Sequence, residues 1–559
     1  MTFPEYALRA RSLSASIARG VLHGLAPFGA LWRFLRRKVT LLVLFTAVFG
    51  MLVGALAVIF PPGVPAAVVG VLGAFLIWAM PDIARVPESL LRKSFFWAVG
   101  VNLVVPAFYA VQIQGLPWIS VRRIFLAVVI FALAIVLGGS APPRKRIAEM
   151  FRSNRPLAVC FLGFPVIAVL SVFTSTSPAN SLSVLLDMAL TWYIPFLACV
   201  SVVRSREDII LVFRIMGYCS LFVAAVGTAE FILERRFVID LLPKWIANAL
   251  LYSNPQMAEA LAHSPYRDGI YRASSIYLVS LSFGEFAAMM APIGVFFAFH
   301  AERYIDRALG VAVIFASIVS LIVSGSRGGS IGMLAALFML TAIGVIRTAR
   351  LNPRSLAGAI AGVFAASGVS ALVAAIFLWK RLHNIVLGGG QASSSTDSRL
   401  EQWALAKPLL ASNPLTGHGI GLGAETLGYA PFGFLSIDSY VISLLVETGV
   451  PGLAFYMGAI FFAVWSCVRI YIRKLDRLGT LAGPLAASLL AYGLYRITLS
   501  QRDNQTLYYL LLGLAFVYLD LVRREGEREA VGAPTAPSLD AAPTLNDRSA
   551  TPLRQASRA

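Results

Sequence analysis

Apolar runs of about twenty residues recur along this chain, and a run of that length is what a helix needs to cross the hydrocarbon core of a bilayer. They fall near 39–60, 64–80, 95–112, 124–139, 157–173, 181–203, 208–232, 274–299, 308–324, 328–346, 356–378, 439–468, 481–499 and 505–522. Hydrophobic residues make up 58% of the 559 and charged residues 13%, where soluble domains carry about 25% charged. A cytoplasmic enzyme, a disordered chain and a secreted disulfide scaffold are thereby excluded. The expected fold is an all-α polytopic membrane protein of the inner-membrane type, with about 14 (12–14) transmembrane helices and a large external loop containing short helices.

An even number of spans returns both termini to one side. On the side of the N-terminus this map collects 32 of the 47 Lys and Arg residues, including Arg36, Arg37, Lys38, Arg144, Lys145, Arg146, Arg347, Arg473 and Lys474. Basic residues accumulate on the cytoplasmic side of a membrane protein, so both termini are expected in the cytoplasm. The net charge of +19 is read as topology rather than as a nucleic-acid footprint. The expected organisation is a basic cytoplasmic segment 1–38, not a cleavable signal, a transmembrane domain 39–522, and a disordered cytoplasmic tail 523–559 rich in Ala, Pro and Ser. Long external loops are expected at about 233–273 and 379–438. Cys160, Cys199, Cys219 and Cys467 lie inside apolar runs without CxxC spacing, which implies neither a disulfide framework nor a zinc site. The absence of a Walker motif argues against an ATP-driven pump.

Four polar features gather on the external side. Ser324-Gly325-Ser326-Arg327-Gly328-Gly329-Ser330 joins two spans with almost no loop. It offers either an anion seat, since guanidinium matches phosphate oxygens bidentately, or a tight turn whose Arg snorkels to headgroups. From Ser398 to Leu410 the spacing predicts an amphipathic helix entered through an Asp or Ser cap. Arg399 would then sit in its first turn, as an anion ligand or as an ordinary surface partner of Glu401. Asn413-Pro414-Leu415-Thr416-Gly417-His418-Gly419-Ile420-Gly421 permits unusual backbone angles, and His418 reads as a base or as a structural imidazole in the turn. Asp438 stands at the mouth of a span, where low dielectric raises a carboxylate's proton affinity; it suits a general base or a helix cap. Glu447, deeper in the same run, suits a buried carboxylate bonded to a neighbouring helix.

In order and spacing, the stretch from Tyr271 to Gly452 resembles the C-terminal half of the O-antigen ligase and polymerase family of bacterial polysaccharide enzymes. The likeness runs through Tyr271-Arg272-Ala273-Ser274-Ser275, the Ser324–Gly329 motif, Arg399 with Trp403, the Asn413–Gly419 motif, and Asp438 through Gly449-Val450-Pro451-Gly452. The resemblance implies a glycosyltransferase in the bacterial inner membrane with its active site facing the periplasm. The donor would be an undecaprenyl-pyrophosphate-linked glycan and the acceptor a second glycan, with a chain-length regulator as a candidate partner. It implies that Arg327 and Arg399 hold the pyrophosphate, with Arg272, Ser326, His418 and Glu447 in support and no metal or other cofactor. Where the family carries a His at the head of the span after the large loop, this chain has Asp438, followed by Ser439 where Asn is usual. That departure favours a polymerase of repeat units, of exopolysaccharide or O-antigen, over a ligase that transfers glycan to a lipid or protein. A competing reading is a secondary transporter, with Glu230, Glu285 and Glu447 coupling ions. Against it stand the lack of two-half symmetry and the clustering of the polar features at one face.

Overall fold

Among the described residues, nine helices are long and apolar enough to span a bilayer, so the all-α membrane class holds. The structure is a computed structural model that describes residues 86–111, 119–242, 244, 266–267, 269–351, 367, 392–431 and 435–530. All belong to the compact unit Ile77–Ala559. The expected spans at 39–60, 64–80 and 356–378, the N-terminal segment and residues 531–559 lie outside the described residues.

The helices in chain order are α1 (Glu88–Val104), α2 (Val121–Gly139), α3 (Ala141–Ser153), α4 (Arg155–Phe173) and α5 (Pro178–Val202). They continue with α6 (Arg206–Leu233), α7 (Ser280–His300), α8 (Tyr304–Ser324) and α9 (Arg327–Leu351). The last four are α10 (Ala392–Ser412), α11 (Tyr440–Arg473), α12 (Ala482–Tyr495) and α13 (Gln505–Ala530). Among the described residues the only strands form two small antiparallel pairs, with Ala110 opposite Ser120 and Tyr266 opposite Tyr271.

Helices α7 and α13 form the centre. In each, 83% of the spanning window is buried, against 28% in α11 and 33% in α4. Outer helices instead turn large apolar side chains such as Phe131, Phe315 and Trp465 outward, as a protein bathed in lipid does. Close helix approach is supplied by small residues: a side chain at Gly294 would meet Gly310 and Val313 of α8.

Four expected boundaries are corrected. The 95–112 span is the helix Glu88–Val104, because Pro106 cannot continue it and forces the preceding residue into extended backbone. The connection left between the expected spans 124–139 and 157–173 is largely helix α3, whose Pro142 and Pro143 sit at the first positions, where a missing N–H costs nothing. The 481–499 span is a 14-residue helix, followed by nonhelical chain to Gln505. Helix α13 continues beyond 522 to Ala530, with Arg523 paired to Asp520 and Glu527.

Polar side chains segregate to the two helix ends. At one end Arg347 donates to the carbonyls of Tyr471 (2.6 Å) and Asp476 (2.8 Å), Arg92 pairs with Asp208 (2.6 Å), and Asp520 gathers Arg523 and Arg524. The other end carries the Ser324–Arg327 turn, α10 and the segment between α12 and α13.

Candidate functional site

Helix α8 stops at Ser324 because Gly325 takes a left-handed backbone (φ 57°), and α9 starts two residues later at Arg327. Ser326 is buried in this reversal; its hydroxyl bonds Tyr495 Oη (2.5 Å) and accepts from Gly329 N–H (3.3 Å). Arg272 Nε donates to Ser324 O (2.9 Å). The turn is therefore clamped from α12 on one side and by Arg272 on the other, with Arg327 half-buried at its exit. Gly328 packs against Tyr495 and Thr498, where a side chain would meet Thr498 Oγ1.

Helix α10 docks on α11 through buried Gln402 and Ala406, with Leu427, Ile442 and Val446 completing the apolar contact. It begins at Ala392, so Arg399 lies two turns into the helix, not in its first turn. Tertiary packing, which supplies most helical stability in proteins, overrides the local capping signal at Asp397 and Ser398. Arg399 Nη2 reaches toward Thr498 O (3.5 Å). Gln402 Oε1 accepts from Asp438 N–H (2.9 Å), the Ser500 hydroxyl donates to Ile437 O, and Tyr440 N–H donates to Arg496 O (3.0 Å). Asp438 is thus fixed in an extended segment just before α11, whose cap position is Ser439 and has no side-chain capping bond.

Burial pushes the Asp438 carboxyl above the ordinary carboxylate range; Arg399's charge and Gln402 pull the other way without cancelling it. The structure therefore gathers Arg399, Asp438 and the start of α9 around one segment, Tyr495 to Ser500.

His418 and Glu447 belong to a different contact. Helix α11 breaks at Gly449 (φ 67°, ψ −171°). The Asn413–Gly421 loop inserts there: Val450 N–H donates to Pro414 O (2.9 Å), and His418 N–H to Val446 O (2.9 Å). Gly417 (φ 66°) lies so close to Glu447 and Thr448 that a side chain would have no room. His418 Nε2 stands 3.0 Å from Leu409 O and 3.3 Å from Ser412 Oγ, inside its own turn. Glu447 is buried and accepts from Ser443 Oγ (2.6 Å), Gly421 N–H (2.9 Å) and Arg502 (3.0 Å).

The other deep carboxylates are equally committed. Glu230 accepts from Tyr271 Oη (3.1 Å), Ser274 N–H (3.1 Å) and Ser275 N–H (2.6 Å), holding Ser275 in a left-handed conformation. Glu285 pairs with fully buried Arg496 and accepts from Asn504 (2.8 Å). Sequence reasoning left the 495–504 segment unused, although a charged residue such as Arg496 inside an apolar run is a recognisable signal. Among the described residues no group of three or more His, Cys, Asp and Glu side chains is placed to hold a metal ion, and all four cysteines are free and buried.

These features define a multi-pass membrane protein with two arginines and one carboxylate disposed around the α12–α13 connection. Residues 311–457 match the family model described as O-antigen ligase, which makes this stretch of the chain an O-antigen ligase family domain. The match includes Arg327, Arg399, His418, Asp438 and Glu447, and leaves out Arg272, Arg496 and Arg502. No curated protein matches the chain.

Proposed function

We propose that the protein is a polysaccharide polymerase acting at the periplasmic face, with both termini in the cytoplasm of a bacterial inner membrane. It transfers a glycan from undecaprenyl pyrophosphate to the hydroxyl of an acceptor glycan. One observation carries the reading: Arg399, Asp438 and the Arg327 turn, all within the family-matching stretch, meet at Thr498 and Ser500.

Asp438 takes the proton of the acceptor hydroxyl as its oxygen bonds to the anomeric carbon. The bond from that carbon to the phosphate oxygen breaks, and the electron pair leaves with undecaprenyl pyrophosphate. Arg327 and Arg399 face the charge that grows on this leaving group; fixed donors of that kind contribute about 10²–10³-fold each. A positioned base adds about 10²–10⁴-fold. Displacement from an α-linked donor inverts the anomeric centre.

Purified protein supplied with lipid-linked repeat units should give a ladder of products, lost in Arg327→Ala, Arg399→Ala and Asp438→Asn while the protein still folds. A wild-type ladder from Asp438→Asn would overturn the assignment. A single transfer to a lipid or protein would make the enzyme a ligase. The transporter reading is less well supported, because Glu230, Glu285 and Glu447 are already spent on backbone, hydroxyl and arginine partners.

A further inference from the structure

A cavity of about 260 Å³ opens beside the candidate site, its wall including Asn102, Arg123, Asp187, Thr191, Trp192 and Asp503. Apart from Asp503, all of these come from the part of the chain before the family-matching stretch. The nonhelical segment between α12 and α13 joins the two places. Ser500 holds the Asp438 loop, while Arg502 and Asp503, two and three residues on, line the cavity. In a membrane protein, irregular backbone at such a position persists only where it is buried in protein or borders a polar cavity.

Three observations fix the chemistry of what the cavity takes. Each of its three arginines has a carboxylate to answer it: Arg123 pairs with Asp187, Arg502 pairs with Glu447 (3.0 Å) just outside the cavity, and Arg122, whose Nε donates to Val105 O, lies in the field of Asp503. With no cation in excess, the cavity disfavours a phosphate. Asp503 Oδ2 is shut off from solvent yet finds no hydrogen-bond partner among the described residues, an unfavourable state until a donor arrives. The facing wall is the π-helical stretch Ala189–Tyr193 of α5, a local widening that recurs at functional sites. It sets Thr191 and Trp192 along the cavity, with the Trp192 ring backed by Tyr509, and Thr506 Oγ1 donates to the Thr191 carbonyl (2.9 Å). A neutral ligand rich in hydroxyl donors with an apolar ring face meets these demands.

We propose that this cavity is a pyranose subsite that holds the acceptor saccharide, with Asp503 accepting a sugar hydroxyl and Trp192 walling the ring. The proposal rests on the transferase reading for the word acceptor, and on the cavity alone for the word saccharide.

The test uses the full chain in detergent, with free glucose, galactose, mannose, rhamnose and N-acetylglucosamine as probes and inorganic pyrophosphate as the charged control. The signal is the part of the tryptophan emission change that disappears in Trp192→Phe. At least one sugar should saturate it. Asp503→Asn should weaken that sugar about tenfold, the loss of one charge-assisted hydrogen bond, and Thr191→Val about threefold, which serves if Asp503→Asn does not fold. Pyrophosphate, followed by thermal shift, should bind Asp503→Asn as it binds wild type and be lost in Arg399→Gln. No sugar-dependent signal at Trp192, or pyrophosphate competing with the sugar, overturns the proposal. Sugar binding without any glycan transfer would instead sink the transferase reading and leave the subsite standing. Transfer with an unchanged KM for the acceptor in both cavity variants would sink the subsite and leave the transferase.

Discussion

Glu285 and the Asp438 loop both contact the same short segment, and the surroundings of the two carboxyls differ sharply. Glu285 is fully enclosed, paired with Arg496 and bonded to Asn504, and the Arg496 guanidinium also lies over the rings of Tyr440 and Tyr492. Asp438 is held by its backbone, through Gln402 and the neighbouring Ser500, while its carboxyl answers mainly to burial and to Arg399. A buried carboxylate with both oxygens engaged, as Glu285 is by Arg496 and Asn504, fixes where helices sit and has no capacity left to move a proton. A carboxyl anchored by its main chain, with raised proton affinity, keeps that capacity. Position in an apolar run therefore does not by itself separate structural from chemical carboxylates; the count of partners does.

The sharpest way to break this contrast is Asp438→Asn, which preserves shape and removes the base. Transfer should fall about 10²–10⁴-fold, while the melting temperature in detergent does not drop below the wild-type value. A variant that polymerises normally would move Asp438 into the same class as Glu285. The converse substitution, Glu285→Ala, strands the Arg496 charge in the interior. Breaking a buried pair from one side costs on the order of 3–5 kcal/mol, so thermal unfolding should show a large fall and little folded protein should be recovered. A melting temperature equal to wild type would mean that Arg496 has another way to be satisfied.

Gly449→Ala tests the frame one step further out. Its backbone angles belong to a region open almost only to glycine, at about 1–3 kcal/mol for any other residue, and a methyl group there would strike Pro414 O. The expected result is a moderate drop in melting temperature together with faster proteolysis of the 413–421 loop. A wild-type loop would show that the break in α11 is not what holds it.

Much of this frame was legible beforehand, and the residues say why. Helix identity followed from apolar run length, which lipid enforces strongly enough to survive errors at the ends. Positive φ at Gly417, Gly419 and Gly421 followed from residue type. What escaped was long-range: that Gln402 braces Asp438, that α12 ends after 14 residues, and that Arg496, Thr498 and Ser500 form the hub. Arg496 carries a local signature, a charge inside an apolar run; the contacts themselves carry none, because each partner sits far away in the chain. The start of α10 was misplaced for the same reason, since contact with α11 and not the Asp397 cap decides it.

The smallest effect is the most specific. A base must be deprotonated to work, so transfer should rise with pH through the Asp438 pKa, which burial sets above the ordinary carboxylate range. Arg399 lowers that pKa, so Arg399→Gln, whatever its overall loss of rate, should move the acidic limb of the profile to higher pH. Stability carries the opposite sign. Because folding raises the Asp438 pKa, the folded state binds this proton more tightly than the unfolded chain, and the associated stability is present below the unfolded pKa and lost as pH climbs through the folded one. Asp438→Asn removes that loss, so relative to wild type it should gain melting temperature slightly at neutral pH and gain nothing in acid. Melting curves at a few pH values decide it: a variant that is less stable at neutral pH than in acid, measured against wild type, would mean that the Asp438 carboxylate is a structural partner after all.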